Sequence, residues 1–149
     1  GSAKGHLAPR DLAVTDLATG GALSAARASS ELAVHLEVYR NQPRAMAIVH
    51  THPPRLIALS LQGPGPLLDL PLFEGKTFAD KLTRVQNHRP GTPELGHAVG
   101  LASRDFEGVF MDNHGLVCWG ETMIQALGLS EELESLAGIA LTLRAPGSE

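Results

Sequence analysis

His50 and His52 stand two residues apart, directly after the apolar run Ala45-Met46-Ala47-Ile48-Val49. A run of that length fits a buried strand. Side chains two apart in a strand point to the same face, so the two imidazoles converge on one point. Neutral imidazole nitrogen suits zinc and similar divalent ions. Two histidines leave a tetrahedral site open, and a third ligand has to come from elsewhere in the chain. His114 is the candidate, because it lies in the polar turn Asp112-Asn113-His114-Gly115 between two apolar runs. Three histidines and one open position describe a catalytic metal rather than a structural one. Asp112 and Asn113 are placed to orient these ligands from behind. A His-x-His pair at a strand end also arises where imidazoles bond only to backbone, and spacing alone leaves both readings open. His35 and His97 fall on or near helix faces and read as packing or surface residues, while His6 and His88 read as loop residues.

Ser29-Ser30-Glu31 is the second group of interest. Two hydroxyls beside the free amides of a helix N-terminus make an anion site, and phosphate is its common occupant. Serine is equally the usual helix cap, and an acid in the first turn complements the helix dipole.

The elements that must position these groups follow from the pattern around them. Leu12 to Leu17, Ala18-Thr19-Gly20-Gly21 and Ala22-Leu23 read as strand, turn and strand, with both glycines at positive φ. Leu32, His35, Leu36 and Tyr39 share one helical face, with Ser29 or Ser30 as N-cap and Asn41-Gln42-Pro43 as the stop. Leu56 to Leu61 reads as a short helix behind a proline, and Gly63-Pro64-Gly65-Pro66 as a loop. Thr77 caps a short helix reaching about Gln86. Pro90-Gly91 is a turn, and Thr92-Pro93-Glu94 starts a helix with Leu95, Ala98, Val99 and Ala102 on its apolar face. Gly108 to Met111 and Leu116 to Trp119 are strands flanking the His114 turn. The longest helix runs from Thr122 to Leu143. Strands and helices in this order describe an α/β layered domain.

Composition narrows the function. The chain has 149 residues, enough for one domain with a core, and 43% are hydrophobic. The net charge of −4 excludes a basic nucleic-acid footprint. No apolar run approaches the ~18 residues that would span a membrane, and Gly1 to His6 lacks the apolar stretch of a signal peptide. The single cysteine, Cys118, excludes an internal disulfide and a cysteine-rich zinc module, and fits a reducing cytoplasm. Against seven histidines, any metal site here is built from nitrogen and oxygen.

Several segments together resemble the class II aldolase/adducin family. They are Ser29-Ser30-Glu31-Leu32 with His35 and Tyr39-Arg40, then Ile48-Val49-His50-Thr51-His52-Pro53. Pro90-Gly91-Thr92 with Glu94-Leu95, Asn113-His114-Gly115-Leu116-Val117 with Gly120, and finally Glu134 and Ile139 complete the set. The matches are collinear from about Gly5 to Leu143. The resemblance implies a three-layer α/β/α fold with a central, largely antiparallel sheet, and a single domain over residues 1–149. It implies that His50, His52 and His114 hold zinc or another divalent metal. It implies that Ser29 and Ser30 bind a substrate phosphate, and that Glu31 is the general acid/base.

The implied activity is a fuculose-1-phosphate aldolase-like lyase, cleaving a small phosphorylated ketose through a metal-stabilised enediolate. A glutamate at position 31, where the epimerase branch carries aspartate, favours carbon–carbon cleavage. A sugar-acid phosphate decarboxylase of the same fold is the alternative. A non-catalytic adducin-like or truncated domain is another, although the adducin branch has lost the metal histidines that this chain keeps. The resemblance also implies a homotetramer, while the lone cysteine, the net charge and the absence of a long apolar run point to a cytoplasmic protein with no nucleic-acid or membrane partner.

Two departures stand out. Family members carry a strand and a Gly-Asn phosphate loop ahead of the point where this chain begins, then a Ser-Gly element of which Gly1-Ser2 is either the tail or no part. The family aldolases also use a tyrosine near the C-terminal end of a neighbouring subunit, whereas the one tyrosine here is Tyr39.

Overall fold

The computed structural model describes residues 7–63 and 67–144. Gly1-Ser2, His6 and the Pro64-Gly65-Pro66 part of the expected loop lie outside the described residues. The elements are α1 (Leu32–Asn41), β1 (Ala47–Thr51), α2 (Pro54–Ser60), α3 (Phe73–Ala79), β2 (Leu82–Val85), α4 (Pro93–Ala102), β3 (Gly108–Met111), β4 (Gly115–Gly120) and α5 (Met123–Leu143). A short 3-10 turn at Pro9–Asp11 precedes them.

The helix starts follow local chemistry. The Thr92 hydroxyl accepts from the Leu95 N–H at the start of α4, with Pro93 pre-set in the first turn. At the start of α5, the Thr122 hydroxyl accepts from Gln125 N–H while the Gln125 amide oxygen accepts from Thr122 N–H, a reciprocal capping box.

The strands form one sheet in the order β1-β4-β3-β2. β1 pairs antiparallel with β4, and β4 antiparallel with β3. β2 pairs parallel with β3, so the sheet is mixed rather than antiparallel throughout. Alternation along the strands sends side chains to opposite faces. Ile48, Val109, Met111, Val117 and Trp119 pack with Val34 and Val38 of α1 and Leu95 and Val99 of α4. Phe110, Leu116 and Cys118 pack on the other face with Leu56 and Leu59 of α2 and with Leu129, Leu133 and Leu136 of α5. Helices therefore cover both faces. Each fully buried side chain of this size contributes about 1.5–3 kcal/mol relative to exposure.

Two expectations fail. Thr77 lies inside α3, donating its hydroxyl to the Phe73 carbonyl, and residues 82–85 are the parallel strand β2. Four residues are too few for periodicity to separate strand from helix, and the β-branched Thr83 and Val85 decide it together with their pairing to β3. The N-terminal hairpin shrinks to a single bridge between Thr15 and Ala22. Its turn is closed by the Asp16 carboxylate, which accepts from both the N–H and the hydroxyl of Thr19 at 2.7 Å. Gly20 has φ 76°, but Gly21 does not share the positive φ.

α1 and α4 cross closely because α4 carries Gly96 and Gly100. A Cβ on Gly96 would lie 2.9 Å from the Ala33 backbone, and one on Gly100 would lie 2.8 Å from the Glu37 carbonyl. Gly96→Ala is therefore expected to lower stability by about 1–3 kcal/mol through overpacking. The urea midpoint checks this, and a wild-type midpoint would contradict so close a crossing.

Candidate metal centre

The register gathers the carboxyl ends of β1, β2 and β3 and the start of β4 at one end of the sheet, where Thr51 faces Leu116, Met111 faces Gly115 and Val85 faces Met111. His50 lies two residues after Ile48 on β1 and so shares its face, the one covered by α1 and α4. His52 follows just past the strand, and His114 stands in the turn joining β3 to β4.

The three rings converge. Their centroids are 5.0 Å apart for His50–His52, 5.1 Å for His50–His114 and 5.3 Å for His52–His114. One nitrogen from each lies within 4.8 Å of the others. The His50 Nδ1–H donates to the Leu116 carbonyl at 3.0 Å, which fixes the tautomer and leaves Nε2 with a free lone pair. His114 Nδ1 is buried and has no protein partner. Gly115 keeps the centre open, since a Cβ there would lie 2.5 Å from the Thr51 carbonyl oxygen and 2.6 Å from the His52 ring. Convergent imidazoles, an unpartnered buried ring nitrogen and a glycine where any side chain would fill the space all fit a divalent cation.

Burial pushes His50 down to about 4, with its hydrogen bond to Leu116 partly opposing and the neighbouring His114, His52 and His35 adding to the drop. Burial also lowers His114 and His35, each partly opposed by the negative charge of Glu31. Burial thereby holds His50 and His114 neutral near pH 7, the form that binds metal, and keeps His35 neutral beside them. The unfolded chain takes up these protons at the ordinary histidine value of about 6.5, whereas the folded chain resists them. The contribution of these histidines to apoprotein stability is thus fully present above about pH 6.5 and is lost as pH falls towards 4. Thermal melting of apoprotein across that window is expected to show the decline, flattened in His50→Gln; a pH-independent melting temperature would contradict it.

Glu31 is buried at the N-cap position of α1. Its carboxylate accepts from the Gly91 N–H at 3.2 Å. Gly91 has φ 75°, and a Cβ on it would meet the Ser30 carbonyl at 3.2 Å, so the Pro90-Gly91 turn can lean on the Ser30–Glu31 backbone only as glycine. Glu31, rather than either serine, stands at the cap, and its side chain does not cap the helix. Ser29 accepts from the Glu31 N–H at 3.2 Å, and both serines are exposed.

Other groups do different work from what spacing suggested. Asp112 accepts from Arg84 Nε at 2.9 Å and is ion-paired with that guanidinium, instead of orienting a histidine. Through that pair β2 steadies the turn that carries His114, and Arg84 also donates to the Gly63 carbonyl. Asn113 supplies that turn's left-handed residue, with φ 57°. His35 is half-buried on α1 within electrostatic reach of Glu31 and His50, while His97 is exposed on α4. The Gly91 contact and the Gly115 gap were missed in the sequence, although both glycines flanked motif residues.

A histidine trio at one end of a helix-covered mixed sheet, with a buried carboxylate in electrostatic reach, defines a class: an α/β domain with a candidate nitrogen-rich cation site. The chain belongs to the family described as Class II Aldolase and Adducin N-terminal domain, which matches residues 1–141. It is 35% identical over 137 residues to L-fuculose phosphate aldolase of Methanococcus vannielii, covering 92% of this chain and 72% of that one. It is 32% identical over 138 residues to 3-oxo-tetronate 4-phosphate decarboxylase of Cupriavidus necator, covering 89% and 63%. The crystal structure of L-fuculose-1-phosphate aldolase from Thermus thermophilus superposes with a TM-score of 0.80 at 31% identity, covering 97% of this chain and 74% of that one. YgbL from Klebsiella pneumoniae superposes with a TM-score of 0.85 at 30% identity, covering 99% and 72%.

Proposed function

We propose that this chain is a divalent-metal-dependent aldolase, cleaving a carbon–carbon bond in a small phosphorylated ketose. The observation that carries the reading is the convergence of His50, His52 and His114 beside the buried carboxylate of Glu31. The aldolase relatives support it. His50, His52 and His114 would hold the ion, with zinc favoured by the all-imidazole donor set. When bound, a divalent ion supplies a Lewis acid that stabilises negative charge developing on substrate oxygens.

The chain's own groups do the rest. Glu31 moves the proton at the carbon beside the substrate carbonyl, held for that task by the Gly91 N–H. Ser29 and Ser30, exposed at the entry to α1, bind the substrate phosphate and hold the reacting bond in place. The remaining parts of the reading are a single domain over residues 1–149, a homotetramer and a cytoplasmic setting. The lone buried thiol of Cys118 supports that setting. Among the described residues, no helix is long and apolar enough to cross a membrane.

A decarboxylase acting on a phosphorylated 3-oxo sugar acid is the second reading. Relatives named 3-oxo-tetronate 4-phosphate decarboxylase support it.

Metal analysis of the purified protein comes first, beside the His50→Ala/His52→Ala double variant. Stoichiometric metal lost in the double variant is the expected result. Absence of metal from the wild type, or its retention in the double variant, would overturn the metal centre and leave an adducin-like scaffold. A substrate panel then separates the reactions: aldehyde release from ketose 1-phosphates marks the aldolase, and carbon dioxide from 3-oxo sugar-acid phosphates marks the decarboxylase.

A further inference from the structure

Helix α5 grips the ligand-bearing segment on both sides of His52. The Thr51 and Ser130 hydroxyls share a hydrogen bond of 2.9 Å. Four residues further along α5, Glu134 accepts from the Arg55 N–H at 3.0 and 3.1 Å and from the Leu56 N–H at 2.9 Å. Residues four apart in a helix lie on one face, so Ser130 and Glu134 act as one two-point clamp. Thr51 immediately precedes His52, and Pro53-Pro54-Arg55-Leu56 immediately follows it.

The clamp fills a gap in local bonding. α2 begins at Pro54 behind Pro53, and no side chain of its own caps it. A proline has no N–H, so the first N–H groups that α2 offers are those of Arg55 and Leu56, and Glu134 takes both. A carboxylate accepting from two backbone amides makes charge-assisted bonds, stronger than neutral ones. Glu134 thereby fixes the first turn of α2, and Ser130 fixes the end of β1. The stretch between them is His52-Pro53-Pro54, in which each proline holds its φ in a narrow range. Little freedom is left for the His52 backbone. His52 needs this support, since it is exposed and lies past the end of β1.

We infer that Glu134, with Ser130, is a positioning residue that sets the direction of His52 towards the metal ion, acting from the opposite face of the sheet without touching the ion. The inference rests on the proposed metal centre.

The test compares wild type with Glu134→Ala, Glu134→Gln, Ser130→Ala and the exposed neighbour Glu131→Ala. Zinc affinity is measured by chelator competition, and the visible spectrum of the cobalt(II)-loaded protein reports coordination geometry. Glu134→Ala is expected to weaken zinc binding about 10- to 100-fold and to change the cobalt spectrum. Glu134→Gln keeps one acceptor oxygen and should fall between Glu134→Ala and wild type, Ser130→Ala should weaken binding less, and Glu131→Ala should match wild type. Variants that melt at lower temperature yet keep wild-type zinc affinity and cobalt spectrum would overturn the inference, leaving the clamp merely structural. If Glu134→Ala fails to fold, Glu134→Gln and Ser130→Ala decide the matter by the same two readouts. A wild type without stoichiometric metal overturns the metal centre and this inference together, whereas metal-loaded wild type with unchanged variants overturns this inference alone.

Discussion

Gly115→Ala is expected to empty the metal centre. The added methyl would sit 2.5 Å from the Thr51 carbonyl oxygen, 2.6 Å from the His52 ring and 3.4 Å from the His50 ring. The first of these is backbone, in a strand held by β4 from Ala47 to Thr51, and cannot swing aside. Either the end of β1 lifts away or the His52 ring turns out, and each removes a ligand. Displacing supporting groups costs roughly 10- to 100-fold in metal affinity, so displacing a ligand is expected to cost at least about that much. The overpacking itself adds about 1–3 kcal/mol of destabilisation. Chelator competition and urea titration on the same sample separate the two effects. A Gly115→Ala protein with wild-type metal affinity would show that the gap at Gly115 has nothing to do with cation binding.

Glu31→Gln is expected to leave metal content intact and lower kcat by about 100- to 10,000-fold, the usual contribution of a positioned acid or base. Glutamine keeps the shape of glutamate, and its amide oxygen can still accept from the Gly91 N–H that holds the carboxylate at 3.2 Å. It cannot carry a proton between substrate and enzyme. A loss in kcat with KM little changed is therefore the signature of a proton-transfer role. A variant with wild-type kcat would move that role to another group.

Much of this was legible in the sequence because it is local. His50 and His52 lie in and just past a five-residue strand whose alternation places them. Thr92-Pro93 and the Thr122 start with Gln125 carry their own capping chemistry, and both helices begin where that chemistry says. Convergence of His114 on the pair was inferred from its turn, and the ring geometry agrees. What stayed hidden is non-local. β2 is four residues long and owes its existence to β3, a partner more than twenty residues away. Asp112 reads as a helper of histidines until Arg84 arrives from that same strand. The backbone N–H of Gly91 and the carboxylate of Glu134 act across sixty and nearly eighty residues of chain. No pattern of period two or 3.6 records such contacts.

The register of β1 against β4 has a consequence for how the centre comes into being. His50 faces Val117, so His114 reaches the pair only once residues about seventy apart in the chain have paired in that register. Before then the chain offers an ion two imidazoles; afterwards it offers three. Contacts so distant in sequence form slowly, because a long loop must close first. A slip of two residues would keep every apolar side chain on its proper face, and the core alone would tolerate it. It would also carry His114 about 7 Å along the strand, since each residue advances roughly 3.4 Å. The ion, when it binds, thus acts as a proofreader of strand alignment, rewarding the single pairing that brings the third nitrogen home.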